Sequence, residues 1–358
     1  MSSPVILVGL PRSGSTLVSR VLNEGLNCFV INDFYYLQYV EGIGGYAKSD
    51  SVTKKLLVDF IVDQVRNRTK PDDLEDEVWF GLPFSDDDLL KLDTFAEVYK
   101  TDNEIKNWSQ ILQDMMQFLA ELANKPIWGY NTPQDYLNFS LISKAFADAK
   151  FIFLLRSPLS TLLSYKYYWT VDPKFHNDRG RYHPVVQSLA WKTCVTTYLG
   201  LRKEYGQSRC MLVKFETFLD NTAQVLSDIS QFTGIEFPQV DLTSFGHNSS
   251  LSNNSSTKKS KRITGLEERI CCRLTQNVSH EIDYDGFSMQ PIGWGDAFTL
   301  LATTCRNVVY YSRQIVSSRN VRKRVLKFLN QLTLQTGQQL ERHSVSITND
   351  VSIQSDIV

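Results

Sequence analysis

No apolar run in this 358-residue sequence approaches the ~18 residues that a membrane-spanning helix needs. Met1 to Pro4 also leave no room for a secretory signal ahead of the first apolar segment, so the expected location is cytoplasmic, with no membrane partner. An excess of charge of either sign is missing too: 38 Lys and Arg face 39 Asp and Glu, for a formal net charge of -1. That balance argues against a generally basic surface and a nucleic-acid partner, so any anion site must come from a local arrangement. Cysteine is sparse and unpatterned. Cys28, Cys194, Cys210, Cys271, Cys272 and Cys305 include no C-x-x-C pair, which predicts buried or free thiols and neither a disulfide frame nor a metal site.

What is present fits a globular enzyme. A hydrophobic content of 42% suffices for a large core, and α/β chains of this length often form one unit. The expected organisation is a single domain over 1–345 with a frayed tail at 346–358. Its organising stretch is VILVGLPRSGSTL at residues 5–17. Val5 to Val8 suit a strand buried on both faces of a parallel sheet. Gly9 to Thr16 then read G-x-x-x-x-G-S-T, the nucleotide-binding P-loop pattern with Ser15 where its lysine belongs. That lysine handles the β and γ phosphates of a nucleoside triphosphate, so its loss argues against a kinase. The glycines, the successive N–H groups and a following helix still make a site for a phosphate-like anion, with Arg12 supplying the charge.

PRSGST after a hydrophobic strand resembles the 5′-phosphosulfate loop of the sulfotransferases, which use 3′-phosphoadenosine-5′-phosphosulfate (PAPS). The resemblance implies a P-loop-like three-layer α/β fold, a central parallel sheet flanked by helices. It implies that Arg12, Ser13, Gly14, Ser15 and Thr16 hold the 5′ phosphate and the bridging oxygen to sulfur. It is strengthened at KFIFLLRSPLSTLLSYKYY, residues 150–168, which read as strand, turn and amphipathic helix. Arg156 and Ser164 are eight positions apart there, as in the family's 3′-phosphate motif, and a guanidinium with a hydroxyl suits a phosphate monoester.

Further strands are expected at Cys28 to Ile31, Ile127 to Tyr130 and Cys210 to Val213. Asp33, just past the second, is a candidate general base at the carboxyl edge where α/β ligands sit, and equally a strand-end turn residue. His176 and His183, in the polar loop Val171 to Pro184, are second choices. Where the family tends to carry a transition-state lysine, before a Thr-Pro or Asp-Pro turn, this chain has Asn131, a neutral amide, so Arg12 must do more or another cation must enter. Phe215, in Lys214-Phe215-Glu216, resembles the family's aromatic that contacts the nucleotide.

Residues 34–125 read as a mainly helical insertion on the acceptor side, with helical periodicity at Thr53 to Arg66 and Ile105 to Ala123. Its acidic runs, 72–77 and 86–88, are read first as solvated helix starts and secondarily as negative potential for a cationic substrate. HNSSLSNNSSTKKSKR, residues 247–262, has the composition of a flexible linker. The resemblance makes it a loop that closes over PAPS through Lys258 and Lys261.

The reading is a sulfotransferase that moves a sulfuryl group from PAPS, without a metal, to a hydroxyl or amine of a small acceptor, cationic or aromatic in character, and releases PAP. Tailoring of bacterial secondary metabolites, including guanidinium toxins such as saxitoxin, fits this class. The alternatives are a P-loop-type kinase, excluded if ATP does not turn over, and a non-catalytic nucleotide-binding protein, for which Asn131 is the one supporting feature.

Overall fold

The computed structural model describes residues 3–25, 27–69, 81–168, 179–235 and 262–317 apart from 285 and 288, together with short pieces between 322 and 330. Among these residues five strands, β1 (Val5–Gly9), β2 (Cys28–Asn32), β3 (Ile127–Asn131), β4 (Lys150–Leu155) and β5 (Cys210–Lys214), form one sheet in the order β2-β3-β1-β4-β5. Every pairing is parallel; Val5 faces both Gly129 and Lys150, and Gly9 faces Leu154.

The helices follow in chain order as α1 (Ser15–Gly25), α2 (Tyr36–Ile43), α3 (Ser51–Thr69), α4 (Asp86–Thr101), α5 (Trp108–Leu122), α6 (Phe139–Ala145), α7 (Pro158–Lys166), α8 (Pro184–Tyr205), α9 (Phe215–Asp220), α10 (Thr222–Thr233), α11 (Gly265–Ser279) and α12 (Trp294–Ser317). The three layers follow from the period-2 alternation of a strand. Val5 and Leu7 point to one face, into a cluster with Leu17, Val18 and Val21 of α1 and Val225 and Ile229 of α10. Ile6 and Val8 point to the other, into a cluster with Ile111, Leu112, Met115 and Leu119 of α5 and Trp191 and Val195 of α8. A strand buried on both faces has no polar side chain to place, hence the unbroken apolar run.

The insertion packs into this same core. Phe34, Tyr36, Leu57, Ile61, Phe84, Tyr99 and Trp108 all lie in the larger cluster, and Tyr36 donates its hydroxyl to the Trp108 carbonyl at 2.7 Å. These rings are therefore largely packing, because rings on amphipathic helices bury their apolar area first. The aromatic stretch FYYLQY at residues 34–39 runs into the helix α2. Asp86 to Asp88 start α4 as expected, where Ser85 and Asp88 form a capping box. The acidic residues 72–77 lie outside the described residues, as does the tail 346–358. Among the described residues, no helix is long and apolar enough to cross a membrane.

Candidate active site

Strand order places the site. The chain leaves β1 toward β2 on one side and leaves β4 toward β5 on the other, so a crevice opens between the carboxyl ends of β1 and β4, where ligands of open α/β sheets bind. The loop after β1 and the turn after β4 therefore emerge side by side. Their side chains meet: Arg12 Nε donates to Ser164 Oγ at 3.1 Å across 152 residues of sequence.

The loop is held in a shape that few residues adopt. Arg12 has φ 74 and Gly14 φ 86, both left-handed, and Ser13 N donates to the Leu10 carbonyl at 3.1 Å. A non-glycine residue in this region stores of order 1–3 kcal/mol, and such residues cluster at binding sites. The first turn of α1 follows directly from Ser15, and its leading N–H groups have no partners within the helix. Beneath Gly14 lies the ring of Phe215, so close that an added Cβ would come within 2.1 Å of it. Arg156 lies over the same ring, 5.2 Å from its centroid. The structure thus places Phe215 beneath both Gly14 and Arg156. It is 1% exposed, a floor under both the loop and Arg156, because a ring without a hydroxyl has no polar end to turn toward a ligand.

Two buried polar atoms of this crevice, Ser13 Oγ and Arg156 Nε, have no hydrogen-bond partner. Leaving such groups unsatisfied costs about 1–3 kcal/mol each, and an oxyanion would accept from both. The donor set fits the phosphates of a PAPS-like molecule. Arg156 itself is held by its carbonyl, which accepts from Trp191 Nε1 at 2.8 Å, and Glu216 stands near enough to oppose the lowering of its pKa by burial. Glu216 is in turn fixed by Ser157 N at 2.9 Å and by the Tyr284 hydroxyl at 2.7 Å. Trp191 and Tyr284 carry no motif in the sequence, whereas Glu216 closes the Lys214-Phe215-Glu216 stretch. Thr16 is exposed and Ser15 buried at the loop's end.

Asp33 follows β2 with φ 51. Burial pushes its carboxyl pKa up; Arg68, a hydrogen bond from Tyr35 and Arg12 act against that, in decreasing order. Burial lowers the Arg12 pKa, with Tyr168, Tyr165 and Asp33 opposing, and the guanidinium keeps its charge. Arg12 also lies 5.1 Å from the centroid of the Tyr168 ring. Asn131 is fully buried, and its Nδ2 donates to Asn32 Oδ1. It is therefore engaged with β2.

His183 lies beside α12. It precedes Pro184 at the start of α8, bonds Thr304 through Nε2 at 3.1 Å, and has its pKa lowered by burial. His176, Lys258 and Lys261 lie outside the described residues. Arg262, the next residue on, is anchored to the end of α7: its carbonyl accepts from Lys166 Nζ at 3.2 Å and from the Tyr167 hydroxyl at 3.3 Å. A separate open cleft of about 510 Å³ lies along β5 between Arg202, Phe232 and Asp283, and shares no residue with the loop.

The profile of the group described as "Sulfotransferase family" matches residues 4–239. Similar solved structures include the sulfotransferase domain from the Synechococcus olefin synthase, 15% identical over 85% of this chain and 96% of that one with a TM-score of 0.43. The sulfotransferase domain from the curacin biosynthetic pathway is 14% identical over 80% and 99%, with a TM-score of 0.44. A sulfotransferase from Alicyclobacillus acidocaldarius is 13% identical over 81% and 100%, with a TM-score of 0.42. No curated protein sequence matches.

Proposed function

The chain belongs to the sulfotransferase family, and from that premise we propose that it moves the sulfuryl group of PAPS to a hydroxyl or amine of a small-molecule acceptor and releases PAP. The observation that supports this most is the Arg12–Ser164 contact, which joins the loop after β1 to the helix after β4. In this reading Arg12, the Ser13 hydroxyl and the N–H groups of Gly14, Ser15 and Thr16 take the 5′ phosphosulfate. Arg156 and Ser164 take the 3′ phosphate. Ser164 accepts from Arg12 and still has its own O–H to donate. Phe215 supports both groups from below.

The acceptor oxygen or nitrogen bonds to sulfur in line with the bridging oxygen while its proton passes to the Asp33 carboxylate. The bond between sulfur and that bridging oxygen breaks, and its electron pair stays on the 5′ phosphate of PAP. Arg12 and the loop N–H groups stabilise the charge that develops on the bridging and equatorial oxygens, which is catalysis by positioning and electrostatics. Tyr35, 38% exposed beside Asp33, and Tyr165 and Tyr168 beside Arg12 support an acceptor with aromatic or cationic character, as in tailoring of secondary metabolites.

The test is calorimetric titration of PAP, with ATP and ADP as controls and Arg156→Ala alongside. Expected is PAP binding that weakens by roughly 10- to 150-fold in the variant, the worth of a charge-assisted contact. Binding of ATP without PAP would overturn the proposal. Asn131, its amide engaged with Asn32, favours one other reading, a nucleotide-binding protein without turnover; PAPS consumption over a panel of acceptors separates the two.

A further inference from the structure

Among the described residues, Asp33 is held from α3, from β2 and β3 and from the loop after β1. From the last turn of α3, Arg68 Nη2 donates to the Asp33 carbonyl at 2.9 Å and Arg68 Nε to the Asn32 carbonyl at 3.1 Å. Arg68 Nη1 is fixed one turn back by the Gln64 carbonyl at 2.9 Å and Gln64 Oε1 at 2.7 Å. From β2, Asn32 Nδ2 donates to Asp33 Oδ2 at 3.3 Å, and the other end of that amide accepts from Asn131 on β3. The loop after β1 brings Arg12, with Tyr165 and Tyr168 behind it, and Tyr35 bonds the carboxylate from the next residue but one.

We propose that Arg68 is a positioning residue for Asp33, clamping the two carbonyls of its turn and setting beside the carboxylate the fixed positive charge that Asn131 cannot supply. The inference rests on reading Asp33 as the base. Four of the five N–H groups of the guanidinium are spent on Asn32, Asp33 and Gln64, so the fork acts through Asp33 and does not swing out over a substrate. The clamp explains how a non-glycine residue stays in the left-handed region at a strand end. Arg68 is also the largest of the influences that counter the raising of the Asp33 pKa by burial, so it favours the ionised form of the carboxylate. By this arginine the insertion takes part in the chemistry.

The full chain, labelled with ¹³C at aspartate carboxyls and assigned with Asp33→Asn, is titrated by NMR as wild type, Arg68→Gln, Arg68→Met and Arg68→Lys. The neutral variants are expected to bind the Asp33 proton roughly tenfold more tightly, as loss of one close opposite charge does; Arg68→Lys should recover most of this. Two neutral variants are used because the methionine fills the arginine stem if the glutamine form fails to fold. PAP titration of the same samples should stay within about threefold of wild type. An unchanged Asp33 titration in either folded neutral variant overturns the proposal. Failure of the wild type to bind PAP would instead remove the donor assignment, while the carboxyl titration would still decide what Arg68 does.

Discussion

Replacing Gly14 with alanine perturbs the loop and its floor at once. The new Cβ would stand 2.1 and 2.2 Å from Cε2 and Cδ2 of Phe215, where carbon atoms prefer about 3.5–4.0 Å. The ring would have to retreat by roughly 1.4 Å, the difference between the lower preferred spacing and the nearer contact. It has little room, being 1% exposed and packed in the cluster with Val213 and Phe218. Overpacking of this kind costs about 1–3 kcal/mol, and a side chain at φ 86 adds about 1–2 kcal/mol. The sum, about 2–5 kcal/mol, corresponds to a Tm lower by roughly 4–20 °C at ~2–4 °C per kcal/mol. Arg156 rests on the same ring, so PAP affinity should fall as well, by roughly 30-fold or more if about 2 kcal/mol reaches the site. Scanning calorimetry reads the first effect and PAP titration the second. Phe215→Leu in the Gly14→Ala background should recover the steric part and leave the backbone part, a coupling of about 0.5–3 kcal/mol. A Gly14→Ala protein that melts within ~1 °C of wild type would refute the contact argument. A lower Tm with unchanged PAP affinity would refute the loop as the anion site.

Arg12→Ala should lower kcat by about 10²-fold or more, the usual loss for one transition-state donor; near-normal turnover would remove its catalytic role. Asp33→Asn should lower kcat by roughly 10²- to 10⁴-fold, yet melt higher than wild type at pH 7. Burial raises the folded-state pKa of Asp33, so its stabilising contribution is complete below the unfolded pKa and is lost as pH rises through the folded one; a Tm gain that persists at pH 3 would contradict this sign. Glu267 is buried and accepts from Lys166 Nζ at 2.6 Å, the Tyr182 hydroxyl at 3.0 Å and Thr264 N at 2.8 Å. Glu267→Ala should cost about 3–5 kcal/mol in urea unfolding, since it strands a part-buried ammonium. Of the six cysteines Cys305 alone is exposed, and burial pushes the Cys28 thiol up to about 12. A thiol reagent should accordingly modify one cysteine per native chain and all six in denaturant.

The strands and the loop after β1 are legible in the sequence because their signals are local. An unbroken apolar run such as Val5 to Val8 has one use in a sheet buried on both faces, and the glycine spacing of the loop marks its turn directly. The sheet also explains why Arg12 and Ser164 meet, since the β1 and β4 segments are each readable and parallel packing makes them neighbours. What the sequence hides is contact between distant elements without a spacing rule. Arg68 on α3 reaches Asn32 and Asp33, and Trp191 on α8 reaches the Arg156 carbonyl, and both look like ordinary helix residues beforehand. Phe215 shows a second limit. A strand-end aromatic does not announce which way its ring turns; here the ring turns under the loop, where the absence of a side chain at Gly14 leaves room for it. In α2, rings that suit a strand by propensity satisfy helical packing against α3 and α5, where tertiary burial outweighs local preference.

The strand that ends in the loop is the middle of the sheet, and both of its neighbours are far along the chain: Val5 pairs with Gly129 and with Lys150. During synthesis at ~5–20 residues per second, roughly 7–30 s pass between the emergence of Val5 and that of Lys150. For that interval a fully apolar strand has its second edge open, the condition that favours pairing with another nascent chain. The pairing of β4 with β1 can form only after that interval, and it is this pairing that sets the two walls of the crevice side by side. A ligand bound in that crevice cannot guide the early chain; it can only retain the finished one, and a ribosome-bound fragment ending before Lys150 is where a chaperone would be needed most.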